Sequence, residues 1–213
     1  MSASKSDPPP ASGLAIELPP DESGRWLEVQ EAALTLFSER GYHGTTMKLV
    51  AALLGVRAPS LYNHVVSKQE ILERIITRGM ARLISSQDEA LVGSDAPVEQ
   101  LRAMIEAHVL VHIRHRRSAM VVEREIGNLE EPTQREVRAQ REAYERRFRA
   151  VIQRGVDEGV FTVDSVKLAS FAVVQMATSV TVWFSERGAL TAEQVAREFG
   201  EMALRLVGAR VGA

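Results

Sequence analysis

The sequence runs to 213 residues, with 26 Lys and Arg against 28 Asp and Glu, a formal net charge of -2, and no cysteine. That length can bury a sizeable core. The lack of Cys excludes disulfide frameworks, thiolate nucleophiles and Cys-ligated zinc or iron-sulfur centres, and the charge balance excludes a generally basic nucleic-acid coat, so DNA contact would need a local cluster.

Residues 1–22 are rich in Ser, Pro and Asp, and Pro8, Pro9, Pro10, Pro19 and Pro20 block regular helix, so this stretch reads as a disordered arm. Those prolines stand where a signal peptide would need its apolar core, and the apolar stretch 168–184 is interrupted by Ser, Gln and Thr. The expectation is a cytoplasmic chain with no membrane partner. From Arg25 onward, Trp26, Val29, Ala33, Leu36 and Phe37 recur at helical spacing up to Gly41. Thr45 and Thr46 offer N-caps to a short second helix that turns Met47, Val50, Ala51 and Leu54 inward and ends at Gly55. A third helix starts at Ala58-Pro59, where proline fits the first turn, and ends near His64-Val65.

Ser67 caps a long helix whose apolar face, from Ile71 and Leu72 through Ile75, Ile76, Met80, Leu83 and Ile84, reaches about Ala90. After a turn at 93–97, helical patterns cover 97–116, 118–129, 132–158, 164–186 and 191–208, with Asp164 as an expected cap and Gly188 with Thr191 separating the last pair. The best strand candidate, Val180-Thr181-Val182, has no pairing partner and is assigned to helix. The predicted fold is all-α: an N-terminal arm at 1–22, a three-helix helix-turn-helix domain at 23–67, a connector helix at 68–92 and a larger helical domain at 93–213.

Two short helices joined by a Gly-containing turn, with small Ala51 and Ala52 allowing close packing, are the local signature of a DNA-reading helix pair. Thr46 stands at a helix N-terminus, where free N–H groups and the helix dipole favour a phosphate. Tyr62, His64 and Lys68 offer further donors to phosphate oxygens, with Lys48 beside them. Arg57, Ser60 and Asn63 start or line the recognition helix and are the candidates for base edges, since Arg prefers guanine and Asn adenine. The plainer alternatives are that Thr46 only caps, Tyr62 only packs its ring and His64 only satisfies a local carbonyl.

The ordered run Thr45, Thr46, Val50, Ala51, Leu54, Gly55, Val56, Pro59, Ser60, Leu61, Tyr62, His64, Val65, Ser67, Lys68 and Ile71, preceded by Ala33, Leu36, Phe37, Arg40, Gly41 and Tyr42, closely resembles the N-terminal domain of the TetR family of repressors. The likeness covers about residues 25–75. It implies a transcriptional repressor that sits as a homodimer on a palindromic double-stranded operator, with Tyr62 and Lys68 at the DNA backbone and a small-molecule effector that releases it. Ala58 departs from the polar residue some relatives carry, so no operator sequence is carried over.

Across 164–208 the apolar residues, among them Leu168, Phe171, Val174, Met176, Val180, Val182 and Phe184, cover more than one core-facing stripe. Packing against a two-fold mate would bury the second face, which is similar to the family's four-helix interface. The segments around Leu129 to Phe161 and Trp183 to Thr191 resemble a sub-branch whose members respond to acyl-CoA thioesters. Such a ligand needs an apolar slot and cations for its phosphates. Met120, Tyr144, Met176, Val180, Trp183 and Phe184 are the candidate lining, with Arg138, Arg141 and Arg116 at the mouth. The competing reading makes the apolar residues ordinary core and the arginines an ion-paired, solvated face.

His108, His112 and His115 share one helical face, with Glu123 on the next helix, a spacing that can present imidazoles to a divalent metal. Arg114, Arg116 and Arg117 would oppose a cation there. A metal-responsive repressor and a metal-dependent helical enzyme therefore stand as alternatives to an effector-released repressor that needs no cofactor, and a DNA-architectural protein stands as a third. No Gly-rich phosphate loop, nucleophile elbow or His-Glu-x2-His pair is present, so the chain is not expected to be an enzyme.

Overall fold

A computed structural model describes residues 24–209; the expected arm at 1–22 lies outside the described residues. In chain order the helices are α1 (Gly24–Arg40), α2 (Met47–Leu53), α3 (Ala58–Leu61), α4 (Lys68–Leu91), α5 (Pro97–Arg114), α6 (Arg116–Glu125), α7 (Thr133–Asp157), α8 (Val166–Thr178), α9 (Val180–Trp183) and α10 (Ala192–Leu206), with a 3-10 turn at Ile126–Asn128. The all-α expectation holds, with no strand among the described residues.

The helix starts follow local side-chain chemistry. Thr46 accepts from Leu49 N at 3.3 Å and Ser67 from Glu70 N at 3.1 Å, each satisfying an amide that lacks an intrahelical partner. Thr191 and Gln194 form a reciprocal capping box, whereas Ser165, not Asp164, caps α8. Gly55, at φ 68°, supplies the left-handed residue that turns the chain from α2 toward α3. The third helix is shorter than expected: it is a single turn, closed at Tyr62.

The apolar stripes of α1 and α4 are buried as their spacing requires. Buried side chains form one continuous core from Trp26 to Val207, and α4 runs through it. At 24 residues, α4 is about 36 Å long. It packs on α1, α5, α6 and α7, while α10 lies along α5 and α8 along α7.

The structure breaks the expected 164–186 helix at Ser179 and ends it at Trp183. Three nearby hydroxyls draw backbone carbonyls out of the regular pattern: Thr178 donates to Val174 O, Ser179 to Met176 O and Thr181 to Thr178 O. The β-branched run Val180-Thr181-Val182 adds little helix preference. Arg116 then takes the released carbonyls, its Nε donating to Thr181 O at 2.6 Å and its Nη2 to Val182 O at 3.0 Å. This places Arg116 as a clamp on the end of α9 and away from the mouth of the slot where the sequence put it.

In the last turns of α7 the Phe161 ring lies directly on Gly155, where any Cβ would overlap it. In an open helix interior Gly to Ala is stabilising; at this site the sign reverses. Gly155→Ala is expected to destabilise the fold by about 1–3 kcal/mol through overpacking, read as a lower thermal midpoint. A raised midpoint would show that Phe161 can move aside freely.

Candidate nucleic-acid interface and ligand pocket

Val50, Ala51, Leu61 and Val65 are buried, with α2 packed on α1 and α3 on α2, which leaves a polar outer face. Thr46, Lys48, Arg57, Ser60, Tyr62, Asn63 and His64 are all exposed on it. Apart from the Thr46 cap, none of these side chains has a hydrogen-bond or ion-pair partner among the described residues. Lys68 sits differently. Its ammonium donates to the carbonyls of Tyr42 and Thr45, both at 2.8 Å, and lies 3.9 Å from the centre of the Tyr42 ring. Burial holds its pKa below the ordinary lysine value. Two of its three N–H groups thus pin the α1–α2 loop to the start of α4, leaving one with no hydrogen-bond acceptor among the described residues. Tyr42, which the sequence offered no reason to single out for this, anchors the arrangement and also donates to Gln69 Oε1 at 2.8 Å.

The second site is a cavity of about 360 Å³ between α4, α5, α6, α7 and α8. Met80, Leu83, Phe171 and Val174 give it an apolar wall, while Arg138, Arg141 and Tyr144 stand there as the sequence expected. Met120, Met176 and Val180 do not line it. Val180 is core. Trp183 is half-exposed and stacks on Phe199, and Phe184 faces a different cleft. For Val180, Trp183 and Phe184 the reason is the break at Ser179, which turns the residues after it away from the line α8 had followed.

The polar wall of the cavity is a chain of hydrogen bonds whose directions can be worked out. Thr178 donates its hydroxyl to Val174 O at 3.0 Å, so it must accept from His108 Nε2, also at 3.0 Å. His108 therefore carries its proton on Nε2, and Nδ1 accepts from the Tyr144 hydroxyl at 2.8 Å. His112 Nδ1 donates to His108 O at 2.8 Å, which leaves its Nε2 as an acceptor with no partner among the described residues. Arg141 closes one side through an ion pair to Glu123 at 2.6 Å.

These bonds overturn the grouping of His108, His112 and His115 as metal ligands. Both ring nitrogens of His108 are committed, His115 lies exposed past the end of α5, and no group of three or more His, Asp or Glu among the described residues is placed to hold a metal ion. Helical spacing put the rings on one face, but the turn at His115 takes the third away.

Burial lowers the pKa of His108 well below 6.5, with His112 and Arg141 adding to the effect. Burial likewise lowers that of His112 against the opposing pull of the His108 carbonyl and Glu123. Unfolding lets both rings take protons near pH 6.5, so below that pH the unfolded chain binds more protons and stability is lost. Above it the contribution is complete. The thermal midpoint is expected to fall between about pH 7.5 and about pH 5.5, and His108→Gln is expected to shrink that fall. A midpoint independent of pH over this range would contradict neutral, buried imidazoles.

Links between the two sites escaped the sequence because they join residues far apart in the chain. Arg124 of α6 donates to Ser38 O at 2.6 Å, Arg117 to Thr35 Oγ1 at 2.6 Å and Glu31 at 2.5 Å, and His43 Nε2 lies 2.8 Å from Asn128 Oδ1.

Comparison with known proteins agrees with this geometry. A family model described as Tetracyclin repressor-like, C-terminal domain, matches residues 94–207, and one described as Bacterial regulatory proteins, tetR family, matches residues 30–75. The HTH-type transcriptional repressor KstR2 of Mycolicibacterium smegmatis is 27% identical over 189 residues, covering 87% of this chain and 92% of that protein. Among solved structures, the TetR family transcriptional regulator PfmR of Thermus thermophilus is 34% identical with a TM-score of 0.73, covering 83% of this chain and 97% of that one. AibR, solved in complex with isovaleryl coenzyme A and operator DNA, has a TM-score of 0.75 at 24% identity, covering 87% of this chain and 100% of that one. The chain belongs to the TetR family of DNA-binding transcriptional regulators and is not an enzyme.

Proposed function

We propose that the protein is a cytoplasmic repressor that binds a palindromic operator as a homodimer and leaves it when a hydrophobic metabolite, an acyl-CoA thioester or a compound of similar character, enters the cavity between α4 and α8. The observation that carries this reading is the cavity itself: an apolar wall, a neutral hydrogen-bonding wall, and an edge where Arg138 and Arg141 stand among Glu123, Glu142 and Glu145. Its volume of about 360 Å³ is at the small end for ligand sites. It suits an acyl chain or a single ring system, with any larger carrier group outside. That AibR was solved with isovaleryl coenzyme A supports the same ligand class.

Dimerisation is supported by the apolar face of α8 to α10. Leu168, Phe171, Val182, Trp183, Met202 and Leu206 are all exposed in the single chain. The 18 residues Val166–Trp183 have a mean hydropathy of 1.3 and only a third of them are buried. Length and composition alone would allow a bilayer span, but Ser170, donating to Glu145 Oε1 at 2.9 Å, ties this helix to the ion-paired side of α7. A four-helix interface across a two-fold axis buries the exposed side. It also sets the recognition helices about 34 Å, one DNA turn, or a multiple apart.

Release follows from differential affinity. A ligand that wedges α6 from α4 moves Arg117 and Arg124, and with them α1. Ligand affinity must then differ between the free and operator-bound forms, since equal affinity shifts nothing.

On the DNA side, Thr46, Tyr62, His64, Lys48 and the remaining N–H of Lys68 are assigned to phosphates, and Arg57, Ser60 and Asn63 to bases. Asn63→Ala should change base preference in an operator-variant binding series, at about 1–3 kcal/mol for the base it reads. Equal loss at every base would overturn that assignment. Lys68→Ala should weaken all operators, lower the salt slope and also lower the thermal midpoint, because it releases two charge-assisted bonds.

On the effector side, saturating short-chain acyl-CoA should release the operator from the wild type in a gel-shift titration. Tyr144→Phe, which removes the donor to His108, should shift the required concentration by about tenfold. Operator affinity that stays unchanged at saturation would exclude acyl-CoA as the effector.

A further inference from the structure

On the neutral wall of the cavity between α4 and α8, each side-chain proton already has an acceptor. Tyr144 gives its hydroxyl proton to His108 Nδ1, His108 gives its Nε2 proton to Thr178, Thr178 gives its own to Val174 O, and His112 gives its Nδ1 proton to His108 O. These side chains have only lone pairs left to offer a ligand. His112 Nε2 is the acceptor that matters most. His112 is 2% exposed yet lines the cavity, and its ring stacks on that of His108 with centres 4.0 Å apart, which fixes its plane. No group among the described residues donates to Nε2. Glu123, whose charge acts on the His112 ring, is itself an acceptor and is held by Arg141 at 2.6 Å. Glu142 and Glu145 add further acceptors to the lining, and its spare donors belong to Arg138, Arg141 and Gln175, not to this wall.

A buried acceptor left without a donor is costly. Solvent meets that need for an exposed group, but a ligand seated against a buried one must bring the donor itself. A ketone or ether oxygen cannot, and sets one lone pair against another. We infer that His112 determines ligand specificity: its Nε2 selects molecules that carry a hydroxyl or N–H group on an otherwise apolar body, and discriminates against the same skeleton with a ketone or ether at that place. The apolar body lies against Met80, Leu83, Phe171 and Val174, the other wall of the cavity. Burial lowers the basicity of His112, so its Nε2 stays unprotonated and keeps its lone pair at neutral pH. A site built to hydrogen-bond one group rejects an analogue lacking it far more strongly than an apolar pocket rejects a change of size. The biological meaning of this preference rests on reading the cavity as the effector site; the preference itself is a property of the wall and is tested apart from operator release.

Menthol and menthone share one skeleton and differ in that only the alcohol can donate, so titration calorimetry of each on the full chain isolates the preference. Menthol should bind the wild type about tenfold or more tightly than menthone. His112→Phe keeps an aromatic ring against His108 but has no acceptor, and should bring the two within about twofold of each other. A second reading needs no variant: in the side-chain nitrogen NMR spectrum of the isotope-labelled wild type, the His112 Nε2 resonance should move upfield with menthol and stay in place with menthone. The inference is overturned if menthol binds no more tightly than menthone, if the Nε2 resonance ignores menthol, or if a folded His112→Phe protein keeps the preference. Operator release by short-chain acyl-CoA reads the other question. A preference for menthol without such release removes acyl-CoA as the effector and leaves His112 its role, whereas release without the preference does the reverse.

Discussion

One helix belongs to both halves of this molecule, and the rest of the structure is arranged around that constraint. The buried face of α4 enters the core shared with α1 at one end and forms the wall of the cavity beside α8 at the other, through Met80 and Leu83. Close-packed interiors deform poorly, so a change at one end of such a helix is not absorbed locally. The contact with α6 is tight: a Cβ on Gly79 would fall 2.5 Å from Val122 Cγ2. A side chain at 79 would hold the two helices apart, and the absence of one lets α6 carry Arg117 and Arg124 within reach of α1. The DNA-reading helices are therefore steadied from two directions, by Lys68 at the head of α4 and by the α6 arginines behind α1.

The cavity and the cleft that Phe184 faces show two ways of treating polar groups away from water. In the cavity, Tyr144, His108 and Thr178 satisfy one another in a neutral chain, and the Nε2 of His112 is left free to accept from a ligand. Buried polar groups in a fully paired chain define one arrangement and penalise others, because any shift strands a donor or acceptor in a low-dielectric site. A ligand entering there must match that pattern or break it. In the cleft between α1, α4 and the α5–α6 junction, arginines gather instead, and two of them, Arg82 and Arg187, have no hydrogen-bond or ion-pair partner among the described residues. The first site suits an uncharged or weakly polar group.

The apolar face of α8 and α10 completes the logic of the fold. Residues turned toward the core, Ala169, Val173 and Ala177, are small or β-branched and allow α8 to sit close to its neighbours, while Leu168 is left outside and Phe171 lies part-exposed at the rim of the cavity. An exposed stripe of this kind is costly in an isolated chain and is normal at an interface between copies. The break at Ser179 helps, since it lets Trp183 lie flat on Phe199 of α10 and widens the apolar patch.

Much of this was legible in the sequence, because the signals are local. Helical spacing located the buried faces of α1 and α4, Thr46 and Ser67 announced two helix starts, and the order of residues from Thr45 to Ile71 carried the family resemblance. The same locality explains the errors. A run of apolar residues from 164 to 186 reads as one helix until hydroxyls at 178, 179 and 181 compete for its carbonyls and Arg116, some 65 residues away, accepts the outcome. Three histidines on a common helical face read as ligands until the partners of each ring are known. Arg82 and Arg187 lie more than a hundred positions apart, so no spacing rule could have gathered them into one cleft. Sequence determined which faces must be buried and where helices begin, since burial periodicity and capping act within a few residues. Only the tertiary structure decided which polar groups meet, because their partners come from distant helices and hydrogen bonds depend on ångström-scale placement that periodicity does not encode.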